Sequence, residues 1–277
     1  MPTPDNVHPT AIVSDRATID PTAQVGPYTV IEGDVTLGPG VRVMAQAFLR
    51  GPLTIGRGTV VWPGAVLGGT PQDYKFSEDT PTAGVVIGED CIIREHVTVH
   101  SATNAQTPTT IKNRVFMMAT SHAGHDCLVE DDVILINGAK LAGHVHAMER
   151  ACVSGNSVIH QFCRLGRLSF VSGGLGISGD VPPFCMAHDR QRLNSINLVG
   201  MRRNGYPREE ITGVRQAFRE CFWKSLTKQE QLARLDELGA RFPAVQEMAD
   251  FVRGAKRHIL PGAGRPRAHA EAGPTDE

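Results

Sequence analysis

A mainly-β hexapeptide solenoid, short parallel strands wound into a prism and closed by a small helical region, is the fold this sequence predicts. Three observations carry it. Every sixth residue from Val7 to Leu67 is a branched aliphatic: Val7, Val13, Ile19, Val25, Ile31, Leu37, Val43, Leu49, Ile55, Val61 and Leu67. The residue two places earlier is often small (Ala11, Ala17, Ala23, Thr29, Ala47, Thr59, Ala65), and glycine follows at Gly26, Gly38, Gly56 and Gly68, as tight corners between short strands require. Only 5 % of the 277 residues are aromatic, which suits a core stacked from aliphatic ladders.

The elements follow in order. Residues 68–84 (GGTPQDYKFSEDTPTAG) break the register and read as an excursion rich in Gly, Pro and charge. Repeats resume at Ile87, Ile93 and Val99. Residues 101–110 (SATNAQTPTT) carry no large apolar side chain and predict a second loop, although Ala105 would keep the phase. From Ile111 the period runs on through Met117, Ala123, Val129, Leu135, Leu141, Ala147, Val153, Ile159, Leu165 and Val171 to Ile177, and stops at Asp180-Val181-Pro182-Pro183, where two prolines cannot donate to a ladder. Beyond, the spacing turns helical: a short segment around Ile196–Arg203 stopped at Gly205, a helix from Pro207 to about Trp223, then helices at 226–239 and 243–253. The predicted organisation is a β-helix over 1–190 with loops at 68–84 and 101–110, an α-helical region over 191–256 that caps the open coil edge, and a tail over 257–277, rich in Gly, Pro and charge, expected to be disordered.

Composition excludes several classes. A net charge of −1 offers no electrostatic footprint for nucleic acid. No apolar run approaches the roughly 18 residues of a membrane span, and the N-terminus lacks a basic-then-apolar leader, so a cytoplasmic location is expected. The six cysteines show no C-x-x-C spacing and read as reduced, buried small hydrophobes.

Histidine placement supplies the functional signal. If three hexads make one coil, positions 18 apart share an edge one strand spacing apart, about 4.8 Å. Ala123, Leu141 and Ile159 then align, bringing together His122, His125, His144 and His160. If each loop fills a single hexad slot, Val99 joins the edge and adds His100, and the first loop carries Asp73 and Lys75 over the same face. Imidazole titrates near neutrality and suits a general base; in His125-Asp126 the adjacent carboxylate can orient it. Zinc binding is the competing use of such a cluster.

In order along the chain, Gln72-Asp73-Tyr74-Lys75, Val97-Thr98-Val99-His100, His122-x-x-His125-Asp126-Cys127, Leu141-Ala142-Gly143-His144-Val145, His160-Gln161-Phe162-Cys163, Asp180-Val181-Pro182-Pro183 and Asn197-Leu198-Val199-Gly200-Met201-Arg202-Arg203 closely resemble the acyl-carrier-protein-dependent UDP-N-acetylglucosamine O-acyltransferases of lipid A biosynthesis. The resemblance implies a left-handed parallel β-helix and a homotrimer with active sites in the clefts between subunits. It implies transfer of a 3-hydroxyacyl group from acyl carrier protein to the glucosamine 3-hydroxyl of UDP-N-acetylglucosamine. No further cofactor is implied, since the acyl donor rides on the carrier's phosphopantetheine. His125 is the implied general base, Asp126 its partner and the Gly143 amide the oxyanion donor. Asp73, Lys75, His122 and His144 would hold the sugar, with His100 beside them; His160, Gln161, Asn197 and Arg203 would lie near the pantetheine or nucleotide. Gly173 would leave the acyl groove open, implying a chain of roughly 12 to 14 carbons.

Departures remain: some members carry Glu at the position of Val199 and Arg at that of Asn204, and some use a 3-amino sugar, which nothing in this sequence excludes. Three rivals are weighed against this assignment. The later N-acyltransferase of the pathway carries a uridine-binding domain for which repeats beginning at Val7 leave no room. A γ-class carbonic anhydrase needs bound zinc, and a non-catalytic scaffold would ignore loss of His125. The helical region's Arg202, Arg203, Arg208, Arg215 and Arg219 would suit an acidic carrier protein.

Overall fold

The computed structural model describes residues 6–264 apart from 78 and 190. The hexad period becomes three parallel sheets of nine, eight and ten strands, each visited once per coil. The 18-residue repeat is literal in the register: Val13 pairs with Ile31, Ile19 with Leu37, Val25 with Val43, and Leu49 with Leu67. These side chains point inward and stack; Leu49, Ile55, Val61 and Leu67 are fully buried. Most of the small residues two places earlier are buried as well, with Ala23, Ala65, Thr29 and Thr59 at 0 % exposure, while Ala11 and Ala17 in the first coil are only partly covered. A larger side chain there would collide with the coil above.

The two excursions leave from the same sheet edge and do not advance the winding. Strand Val66–Gly69 pairs with Thr98–His100, and Ile55 pairs with Ile87, so the first loop occupies one hexad step. Val85–Ile87 pairs with Thr109–Ile111, so the second does too. Both loops are slightly shorter than the sequence predicts, because Gly69 pairs with His100 and Thr109 with Val85, leaving 70–84 and 101–108 outside the ladders.

The sheet continues past the double proline. Strand Cys185–Asp189 joins Phe170–Val171 in parallel, and Arg192–Ile196 folds back on it antiparallel before the helices begin. Four helices follow: α1 (Leu198–Arg203), α2 (Arg208–Ala217), α3 (Lys228–Gly239) and α4 (Pro243–Arg253). Asn197 caps α1 by accepting from the Gly200 amide, Thr227 and Glu230 form a reciprocal capping box on α3, and Pro243 opens α4. One π-helical turn, Phe218–Phe222, extends α2 and buries both rings.

The tail departs from expectation. Over residues 257–264 it is not loose: the Asp180 amide donates to the His258 carbonyl and the Leu260 amide to the Asp180 carbonyl, while the Leu193 amide donates to the Pro261 carbonyl and the Ala263 amide to the Leu193 carbonyl. Leu260 is fully buried, and Arg257 donates to the carbonyls of Ser178 and Gln161. The pairing satisfies backbone groups at the last coil that would otherwise lack partners, which composition does not reveal. Residues 265–277 of the expected tail lie outside the described residues. Among the described residues no helix is long and apolar enough to cross a membrane. All six cysteines are free, five of them buried.

Candidate active site

Histidines from three coils converge on one corner. Val99 pairs with Ala123, Ala123 with Leu141 and Leu141 with Ile159, the edge inferred from the count. The His100 and His122 rings meet edge to face at 4.9 Å, and those of His125 and His144 at 5.1 Å. His160 lies one coil further on, exposed, with Nδ1 3.2 Å from the Gln161 carbonyl.

His125 is held by a carboxylate at hydrogen-bond distance. Its Nδ1 lies 2.8 Å from Asp126 Oδ2, which fixes the ring and leaves Nε2 to act outward. His125 and Asp126 are mostly buried, with side-chain exposures of 13 % and 8 %. Burial alone would raise the Asp126 carboxyl, but hydrogen bonds from His125 and Thr103 outweigh it and hold the group below its ordinary value. Burial lowers His144, although Asp126 and Asp73 pull the other way, which also places Asp73 of the first loop within electrostatic reach of the cluster. Lys75 leans on the same loop, its amide donating to Asp73 Oδ1 at 2.9 Å.

Gly143 is packed against the His125 ring. A methyl group built on it would sit 2.4 Å from His125 Cε1 and 2.6 Å from Nε2, so only hydrogen fits. Its amide is at a turn between strands Lys140–Leu141 and His146–Ala147, and among the described residues nothing accepts its proton. That leaves one backbone N–H beside the reactive face of the imidazole.

Asp126, His144 and Phe162 occupy equivalent corner positions in successive coils, all with left-handed φ of 60°, 62° and 65°. Non-glycine residues take this conformation at many corners of the prism, yet here it stacks functional side chains. Phe162 lies parallel to His144, centroids 4.4 Å apart and planes 9° apart.

His122 is the most perturbed histidine. Burial, reinforced by the charges of His100 and Lys140, drives it down to about 4, and its Nδ1 lies 2.7 Å from Thr98 Oγ1. Since the unfolded chain's imidazole titrates near 6.5, the unfolded state binds the extra proton first as pH falls. Stability present above pH 6.5 is therefore expected to be lost progressively toward about pH 4. Urea midpoints between pH 7.5 and 5 should fall for the wild type and fall less steeply for His122→Gln; equal slopes would refute this.

The nucleotide-side candidates are elsewhere. Asn197, Val199, Gly200, Arg203 and Asn204 line a groove of about 610 Å³ floored by Ile134, Cys152, Phe170 and Met186, outward residues of the ten-stranded sheet. His125 lies at the corner between the other two sheets, so one chain does not bring Arg203 to His125. Asn197 spends its side chain on the helix cap and the Leu168 carbonyl. Gly173 sits at a turn where an added methyl would lie 3.2 Å from the Gly155 carbonyl.

Several site residues escape sequence reasoning. Thr98, Thr103, Asn104, Thr109 and Phe162 hold the imidazoles and Asp126; Thr98 and Phe162 stand within histidine motifs but carry no signal of their own, and Thr103, Asn104 and Thr109 lie in or beside the second loop. As for metal, the donor atoms of His125, Asp126 and His144 all lie within 4.8 Å of one another, the one such trio among the described residues. Its carboxylate is already taken up by hydrogen bonds from Thr103, Asn104 and His125.

Comparison with known proteins gives this geometry its context. Residues 180–260 match the family model described as Udp N-acetylglucosamine O-acyltransferase, domain 2. An acyl-[acyl-carrier-protein]–UDP-N-acetylglucosamine O-acyltransferase from Anaeromyxobacter dehalogenans is 45 % identical over 256 residues, spanning 91 % of this chain and 98 % of that protein. The chain belongs to this family. The protein of the same name from Campylobacter concisus is 36 % identical over 264 residues, covering 94 % and 99 %. The UDP-N-acetylglucosamine acyltransferase structure from Francisella novicida superposes with a TM-score of 0.89 at 30 % identity over 93 % of this chain and 94 % of that one. LpxA from Acinetobacter baumannii gives 0.88 at 33 %, over 92 % and 100 %. The solenoid fold, the family and the acyltransferase class expected from the sequence are thereby borne out. The carbonic-anhydrase and amide-forming alternatives are not favoured by these matches.

Proposed function

We propose that His125 is the general base of an O-acyl transfer in this family member, with Asp126 orienting it and Gly143 N–H receiving the oxyanion. The reaction is that of the family, acyl transfer from acyl carrier protein to UDP-N-acetylglucosamine at the start of lipid A synthesis. The supporting observation is the 2.8 Å His125–Asp126 bond with Gly143 pressed against the same ring. His125 Nε2 takes the proton of the glucosamine 3-hydroxyl as that oxygen attacks the thioester carbonyl of a 3-hydroxyacyl group. The tetrahedral oxyanion forms against the Gly143 amide, the C–S bond breaks, and the imidazolium returns the proton to the departing phosphopantetheine sulfur. Asp73, Lys75, His122 and His144 hold the sugar, His100 buttresses His122, and His160 and Gln161 border the pantetheine.

Asn197 and Arg203 lie on a different wall, so one nucleotide sugar reaches both groups only if the groove of one copy stands beside the histidine corner of another. A homotrimer with inter-subunit sites meets that requirement. Arg203 then serves the diphosphate, while Val199 and Asn204 make the uridine side less polar than in relatives bearing Glu and Arg. Arg202, Arg208, Arg215 and Arg219 are exposed on α1, α2 and the π turn and face the acidic carrier protein. The free cysteines fit a reducing, cytoplasmic setting.

Purified protein assayed with UDP-N-acetylglucosamine or its 3-amino analogue against a ladder of 3-hydroxyacyl carrier proteins tests the assignment. Turnover is expected with the hydroxyl sugar, best at about 12 to 14 carbons because Gly173 leaves room. Faster turnover at about 10 carbons would reject the Gly173 role, and turnover of the amino sugar alone would reject O-transfer.

A further inference from the structure

We propose that Thr103 and Asn104, on the 101–108 loop, are positioning residues that make Asp126 serve His125 in preference to His144. This rests on His125 being the base. Asp126 Oδ2 stands between two imidazoles, 2.8 Å from His125 Nδ1 and 3.6 Å from His144 Nε2. Nothing in the two histidines themselves decides which one the carboxylate supports.

The loop decides it. The Thr103 amide donates to Oδ1 at 3.1 Å and Asn104 Nδ2 to the same oxygen at 3.0 Å, while the Thr103 hydroxyl donates to Oδ2 at 2.7 Å. Below, the Asp126 amide donates to Thr109 Oγ1 at 2.7 Å. A carboxylate offers about four lone-pair directions. With three filled by the loop and one by His125, it has no freedom to rotate toward His144. Asn104 is itself fixed, since its side-chain oxygen accepts from the amides of Gln106 and Thr107. The 101–108 loop is thus a clamp whose function is to orient the base through Asp126.

Removing the Thr103 hydroxyl takes away the bond that holds Asp126 Oδ2. The carboxylate regains a path to His144, so the base is misoriented; misplacement of this kind costs about ten- to a hundredfold in turnover.

The test is kcat and KM for the sugar nucleotide of Thr103→Val, Thr103→Ser and Asn104→Ala in the full chain, with melting temperatures measured alongside. With the clamp in place as described, kcat of Thr103→Val falls at least tenfold with KM within about twofold, Thr103→Ser recovers most of the rate, and Asn104→Ala falls less. A Thr103→Val rate within twofold of wild type, a KM that rises as much as kcat falls, or a loss that Thr103→Ser does not recover overturns it. Parallel assay of His125→Ala separates the failures: activity there sinks the base assignment, whereas inactivity there with full activity in Thr103→Val sinks only the clamp.

Discussion

His125→Ala is expected to lower kcat by about 10² to 10⁴, the usual worth of a positioned general base, while leaving the melting temperature within a few degrees. The side chain stands at a corner outside the aliphatic ladders, bonded to Asp126 and packed on the Gly143 backbone, so its removal costs the solenoid little. KM for the nucleotide sugar should change far less than kcat, because a proton acceptor acts on the transition state more than on the ground state. Turnover within tenfold of wild type would remove His125 from the mechanism and return the histidine wall to a purely structural or metal-binding explanation.

Gly143→Ala is expected to be nearly as damaging, about 10² to 10³ in kcat, although one methyl group is the smallest possible side chain to add. Its φ is not left-handed, so the backbone conformation tolerates alanine; the obstacle is the His125 ring at 2.4 to 2.6 Å. The ring must swing away from Asp126, and the amide that receives the oxyanion is displaced with it. Circular dichroism should show an intact fold. Wild-type kcat in this variant would show that the base and the amide do not act as one constellation.

Much of this was legible from the period alone. Because the residues of each coil recur every 18 positions, His122, His125 and His144 could be put on one edge by counting, and the register of Ala123 with Leu141 repeats that count. What the period cannot reach is whatever leaves it. Thr103 and Asn104 meet Asp126 from 23 and 22 residues away through a loop that adds length without winding, and no spacing rule reports such contacts. Ala105 even keeps the six-residue phase, so the loop counterfeits a hexad. The tail misled for the opposite reason: its Gly, Pro and charge predict disorder, but Ile259 and Leu260 bridge and bury against the last coil, where unpaired backbone supplies a docking edge. Composition records what a segment is made of and cannot record which unsatisfied edge awaits it.

The two ends of the prism differ. At the C-terminal end the helices and residues 257–264 cover the last coil, whereas near the other end Ile12 is 67 % exposed and Val13 and Ile19 are incompletely buried. Solenoids fray coil by coil, each turn leaning only on its neighbours. Unzipping should therefore begin near Val7, and four strands of the nine-stranded sheet stand between that end and His100. Warming would then erode the leading turns while the catalytic corner keeps working, so that amide exchange in the first coils outruns any decline in turnover.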